Sequence, residues 1–429
     1  MNQDLSEALR SVSRRRFVEA AAGVAVGSTA LNALAQRALA DAKVPAVELG
    51  SQPHGLPLRQ HAWGGYEAVD AYGNDQAPKY NRLLFFDVRG RPSVAHARLL
   101  ESRLRKLERR FAWSHNGLLF TIGWSPEYFK LIGARSPIPK PGRLSTFERP
   151  LIDRYDVCLH LACDHEQRLA DVEAALVHGR ALAGVRGSLS LAPALIWRET
   201  RTGFNGAGLP AAKQSVKGIP SGSPVPTGSP LYMGFKSGFR KNQATEDGIT
   251  IKSGPFAQGT VMHVSYMREN LSDWYGSGFD EQYRIARMYS PQTTPSGVTL
   301  ISEDKADTTA DTKGIGAAIT RYGVVGHSQA TAQARRNNRP LIIRRDFNTA
   351  DDGYAGLHFV SLQLSYEDFV VTRNAMNASG ATVANPKIKA TTNNGINAFI
   401  DVRRRANYII PSRADRSFPL LRGRGAALV

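Results

Sequence analysis

The chain has 429 residues, 42% of them apolar and 21% charged, with 55 Lys and Arg against 37 Asp and Glu for a formal net charge of +18. This composition excludes a disordered chain, and 39 glycines with 2 cysteines exclude a collagen-like or disulfide-stapled one. The length suits two or three domains or one large α/β unit, each able to bury a core without staples.

The first element is an address. Ser13-Arg14-Arg15-Arg16-Phe17 sets an arginine pair before an apolar stretch running to Leu34, in which Glu19 is the one charge, and Ala38-Leu39-Ala40 offers small residues for cleavage. The stretch is short and Ala/Gly-rich for a membrane span. Residues 1–40 therefore read as a bacterial or archaeal twin-arginine export signal, which implies passage through the twin-arginine translocase already folded and a periplasmic or extracellular destination. The leader carries five basic and three acidic residues, so residues 41–429 keep +16. Such charge favours anionic envelope components. No basic run with interleaved aromatics occurs, which argues against a nucleic-acid partner.

Residues 41–80 are punctuated by Pro and Gly and predict an arm on the domain surface. The pattern then predicts a strand over 82–88, a helix over 93–111 with Val94, Leu99, Leu100, Leu104, Leu107 and Phe111 as its apolar face, and strands over 118–124 and 156–163. Asp164 is the expected N-cap of a helix over 166–178 that buries Leu169, Val172, Ala175 and Leu176. Cys158 and Cys163 fall on opposite faces of their strand and read as buried, unbonded thiols. The Pro/Gly/Ser-rich stretch over 217–230 is the best boundary, dividing an N-terminal domain over 81–225 from a C-terminal one over 226–429. Beyond it come a strand over 259–269, a helix over 272–288 broken near Gly276 and Gly278, a polar, mobile surface insertion over 289–322, a strand over 356–364, a helix over 365–377, and strands over 396–402 and 407–411. Two successive β-α-β halves predict an α+β fold of two tandem ferredoxin-like domains, antiparallel sheets with flanking helices.

No dinucleotide, Walker, zinc-protease or exposed-serine motif occurs. Three segments remain as candidates: Gly234-Phe235-Lys236-Ser237-Gly238, whose glycines let a backbone approach a flat or anionic ligand; His327, after a glycine-flanked apolar turn; and the strand end Ile342-Ile343-Arg344-Arg345. His263 and His358 lie on predicted strands and are expected to face the core or the sheet surface.

The order of these segments, with Gly254-Pro255-Phe256 opening a strand and Asp351-Asp352-Gly353 leading into Gly356-Leu357-His358-Phe359, resembles the dye-decolourising (Dyp-type) peroxidase superfamily from about Leu83 to Tyr408. The resemblance implies a dimeric α+β barrel type of fold with one haem b per chain in the C-terminal half. It implies His327 as the iron ligand, and Arg344, with Arg345 as close competitor, as the charge that stabilises bound peroxide. Gly234, Phe235, Lys236 and Gly238 are the implied cofactor loop, and Phe235, Phe239, Phe256, Leu357 and Phe359 the apolar wall. Hydrogen peroxide and a small organic reductant are the implied substrates, and a homo-oligomer the implied assembly.

One departure weakens the activity. The family motif is Gly-x-x-Asp-Gly, and here Ser237 stands in the place of the proton-moving Asp, without useful basicity at neutral pH. Glu246 and Asp247 are the nearest later carboxylates. The sequence therefore predicts an exported haem peroxidase-like oxidoreductase, with a non-catalytic haem binder or a degenerate, haem-free envelope binding protein as alternatives.

Overall fold

The computed structural model describes residues 55–421, except 72, 277–280, 289–292, 295–296, 299–318 and 321–322. The segment over 1–40 read as an export leader and most of the insertion expected over 289–322 lie outside the described residues.

The first half is β1 (Tyr80–Val88), α1 (Val94–Arg110), β2 (Leu119–Trp124), β3 (Val157–Cys163), α2 (Glu166–His178) and β4 (Leu195–Phe204). The second is β5 (Thr260–Glu269), α3 (Glu281–Met288), α4 (His327–Thr331), β6 (Ile342–Arg344), β7 (Phe347–Thr349), β8 (Gly356–Gln363), α5 (Tyr366–Asn377) and β9 (Ile400–Ile410). Strands β6 and β7 pair with β8 in one register, Arg344 opposite Ser361 and Phe347 opposite His358, so they act as one strand with a two-residue break. Each half then has the strand order of a ferredoxin-like unit: β2-β3-β1-β4 and β7-β8-β5-β9. Two narrow seams close the eight strands into one antiparallel barrel, Asn348 opposite Phe204 and Ile409 opposite Trp124.

Burial follows the alternation of the strands. Leu83, Phe85 and Cys158 meet Met262, Val264, Val360, Leu362 and Tyr408 inside the barrel. The opposite face of the first half carries α1 and α2, whose Leu100, Leu104, Leu107, Leu169 and Leu176 are fully buried against Leu84, Phe86, Leu159 and Leu161. Each such leucine contributes about 2 kcal/mol by leaving water. Both cysteines are buried and free. Among the described residues no helix is long and apolar enough to cross a membrane.

Strand β4 was not expected from the sequence, and three local expectations change. Strand β4 has no clear alternation, because Arg198 to Glu199 meets neighbouring charges rather than solvent alone: Arg198 pairs with Asp87 and Arg201 with Asp153 and Glu199. The two strands expected over 396–402 and 407–411 are one, β9. Its interrupting arginines are held by carboxylates, Arg404 by Asp153 at 2.9 Å and Arg405 by Glu148 at 3.0 Å, with an irregularity after Val402. Asp164 does not cap α2; His165 stands at that position, while Asp164 accepts from the Lys79 backbone and meets His115 Nδ1 at 2.9 Å. The arm is not merely laid on the surface. Gln60, His61 and Trp63 are fully buried, and Gln60 bridges β2 to the end of β9 through Ile122 and Pro411.

Candidate functional site

The two halves differ in what covers the outer face of their sheet. In the first, leucines fill the space under the helices. In the second, the helices stand off, and a cavity of about 1480 Å³, including its open mouth, lies between sheet and helices. Ser265, Met267 and Glu269 of β5, Leu357 and Phe359 of β8, and Val402 of β9 form the sheet wall, all from alternate positions of their strands. His327 of α4 and Phe369, Arg373 and Met376 of α5 form the helix wall, and the loop from Leu231 to Asn242 closes one end.

His327 is the first residue of α4. Gly326 donates its N–H to Gln329 Oε1 at 2.9 Å, and the His327 carbonyl accepts from Thr331 Oγ1 at 2.9 Å. The turn over 393–395 backs it through hydrogen bonds between Val325 and both Asn393 and Gly395. Gly395 has φ +52°, and a Cβ there would lie 3.1 Å from His327 Cα, so a glycine lets the chain approach. Burial, then the charges of Arg344 and Arg373, push the imidazole down to about 3, so it is neutral at physiological pH. Its Nδ1 is buried and has no hydrogen-bond partner.

Arg344 comes from the sheet wall. Gln243 holds its backbone on both sides, accepting from Arg344 N at 2.8 Å and donating to Arg344 O at 3.1 Å. Alternation sends Arg345 the other way. Arg345 is buried, donates to the His61 carbonyl at 2.7 Å and lies over the Trp63 ring, so it does not line this cavity. Phe256 is likewise elsewhere, packed edge-on against Phe129 in the first-half core, 5.9 Å between centroids. Phe235, Lys236, Ser237, Phe239, Leu357 and Phe359 do line the cavity. Gly234 forms the turn beside Pro226 and Tyr275 without reaching the cavity, and Gly238, at φ +84°, faces an adjoining polar cavity.

His263 and His358 are core residues. His263 stacks on Phe369 at 3.6 Å and bonds Asn407 and Ser265; His358 meets Asp351. Glu246 does not fold back to the site: it accepts from the N–H groups of Trp63 and Gly64 in the arm. Asp247 is exposed and pairs with Arg59 and Lys252.

Four charged residues of the site were not singled out by the sequence. Asp346, in the break after β6, lines the same cavity as Arg344 and Ser237. Burial pushes its carboxyl up, opposed by Arg344. Glu269 ends β5 with Oε2 unpartnered; burial, then the charge of Asp346, raises it to about 8, so it holds its proton at neutral pH. Strand alternation alone signals Glu269. Arg373 and Arg405 share Glu148, 225 and 257 residues away in sequence, for which the sequence carries no signal. Together these residues offer a neutral imidazole that can give a lone pair to a metal, a permanent cation, one ionisable carboxyl and an apolar slot between them.

Residues 78–412 match DUF7405, a family of unknown function, and the chain belongs to it. No curated protein matches the sequence. In fold the chain is similar to a DyP-type peroxidase from Cellulomonas bogoriensis (TM-score 0.58, 16% identity, covering 87% of this chain and 99% of that one). It is also similar to DyPB from Rhodococcus jostii RHA1 (0.51, 11%, 79% and 94%) and to a dye-decolorizing peroxidase from Bacteroides thetaiotaomicron (0.50, 13%, 82% and 97%). These likenesses establish a shared fold.

Proposed function

We propose that the chain is a haem-dependent peroxidase-like oxidoreductase, exported through the twin-arginine route and acting on hydrogen peroxide with a small organic reductant. The observation that carries this reading is the hollow second half, with a neutral His327 on its helix wall and Arg344 on its sheet wall. The residues fit a haem. The slot is apolar along β5, β8 and β9, the single imidazole is uncharged, and the orphaned Nδ1 leaves a buried polar atom that the described residues do not satisfy. Arg373 and Arg335 at the lining provide cations for the acidic edge of a porphyrin.

Bound haem would supply the redox centre for peroxide cleavage. His327 would hold it from the helix side. Arg344 would bind the peroxide as charge develops on it, and a fixed guanidinium does this without reorganising and without losing its proton. Met267, Leu357 and Phe359 would keep bulk water away, which strengthens that charge interaction.

Ser237 in the loop favours a second reading, a haem binder that does not turn peroxide over. One experiment separates the readings: absorbance of the purified protein with and without haemin, beside His327→Ala, followed by peroxide turnover. A Soret band that His327→Ala abolishes or shifts supports haem ligation, and turnover then supports the enzyme. Soret without turnover supports the binder, and no Soret in the wild type under either condition rejects both.

A further inference from the structure

We propose that Asp346 is the proton-relay carboxylate of this site, moved from the glycine loop to the strand that carries Arg344. The proposal rests on the haem reading above and concerns which side chain handles the peroxide protons.

The loop position expected to carry a carboxylate holds Ser237, and Ser237 and Asp346 line the same two cavities, with the Ser237 hydroxyl favouring the ionised form of the Asp346 carboxyl. The loop and the strand therefore meet at one point, with the acid now on the strand side. Arg344 ends β6 and Asp346 lies in the two-residue break that follows it. Both line the apolar cavity, and both also line the adjoining polar cavity, so the pair stands where the two spaces meet. Their backbones are fixed independently: Gln243 clamps Arg344 on both sides, and Asn205 Nδ2 donates to the Asp346 carbonyl at 2.9 Å. A carboxylate held this way, beside a permanent cation and 8% exposed, is preorganised for proton transfer.

The charged and titratable groups around it act together. Burial pushes its carboxyl up, and Arg344 and the Ser237 hydroxyl oppose that in favour of its ionised form. Lys236 lines both cavities beside it and is tied to Asp70 of the arm at 2.5 Å. Glu269 faces it from β5 and keeps its own proton, so the two carboxyls do not repel as a pair of anions.

The step balances as follows. Asp346 accepts the proton of the inner peroxide oxygen and returns it to the outer one. The O–O bond breaks with its electron pair on the outer oxygen, which leaves as water. The inner oxygen is then two electrons short; the organic reductant supplies these with two protons, through the redox centre that bound haem would provide. Asp346 ends as it began.

Hydrogen cyanide tests the proton transfer without turnover, since it too gives up a proton as it binds ferric haem. In haem-loaded protein, Asp346→Asn should slow both cyanide association and the peroxide-induced change of the Soret band by about a hundredfold. Imidazole, which binds without deprotonation, should associate at the wild-type rate, and the resting spectrum should be unchanged. Ser237→Asp in the Asp346→Asn background should recover at least a tenth of the wild-type rates. If Asp346→Asn does not fold, Asp346→Ala and Asp346→Ser carry the same comparison. Cyanide and peroxide rates within twofold of wild type in these variants overturn the assignment while leaving the haem reading intact. A wild type with no Soret band overturns the haem reading and this proposal with it.

Discussion

The guanidinium of Arg345 lies 3.9 Å from the centroid of the Trp63 ring, while its neighbour Arg344 lines the cavity on the opposite face of the same strand. Two adjacent arginines thus serve different parts of the molecule. Arg345 fastens the N-terminal arm; Arg344 belongs to the site.

Their substitutions should separate cleanly. Arg345→Ala should cost about 2 kcal/mol of stability, through a lost buried hydrogen bond and ring contact, and leave the haem spectrum unchanged. Arg344→Ala should preserve stability within about 1 kcal/mol, because it removes a charge whose burial is itself costly. It should lower peroxide reactivity by a hundredfold or more. Urea unfolding and stopped-flow absorbance check the two arms.

Gly395→Ala tests how His327 is held. The new methyl would press on the His327 backbone at a φ that disfavours a side chain. The expected outcome is a loss of about 1–2 kcal/mol and at least a tenfold weaker haem affinity. Haemin titration followed at the Soret band measures it, with Gly353→Ala, also at positive φ but in open space, as the control for backbone strain alone.

Glu108 anchors the C-terminal segment. It meets Arg413 and Arg416, both fully buried, and Arg416 also pairs with Glu101 at 3.0 Å. Glu108→Ala would leave the buried Arg413 guanidinium without its ion-pair partner and Arg416 with Glu101 alone, so a loss of about 3–5 kcal/mol is expected. Thermal unfolding should show it, and the double variant Glu108→Leu/Arg413→Met should recover part of the loss.

Stability should fall on mild acidification. Burial, foremost, holds His61, His160 and His327 down to about 3. The unfolded chain takes up these protons near pH 6.5 while the folded chain does not, so this stability is complete above pH 6.5 and is lost as pH falls toward 3. Each histidine adds a slope of up to about 1.4 kcal/mol per pH unit. Glu269, raised to about 8, runs the opposite way: its contribution is complete below 4.5 and lost as pH rises toward 8. Chemical unfolding at pH 5, 7 and 8 should show both, with Glu269→Gln removing its share of the loss between pH 7 and 8, above the range in which Glu67, raised to about 7, and Asp156, raised to about 6, act the same way.

Much of the fold was legible from alternation and periodicity, since β1, α1, α2, β5 and β8 each carry a strong apolar face. The strands that escaped were those whose charges are neutralised by distant partners. Arg404 and Arg405 interrupt β9 in sequence but meet Asp153 and Glu148 in space. The site divides the same way. Glycine spacing and the arginine pair brought out His327, Arg344 and Ser237, all of which line one cavity. Asp346 was overlooked because a carboxylate was sought in the loop, where sequence order places it, rather than in the break after β6.

The contrast between the filled and the hollow half has a consequence for the order of events in the life of the chain. An occupant that binds only the folded protein adds about 4 kcal/mol at a thousandfold excess over its Kd. The hollow half is the one that gains, because its helices have the fewest side chains beneath them. Under the proposed export of an already folded chain, filling comes first and crossing second, and an empty molecule would be the one most easily unfolded and cleared before it reaches the membrane.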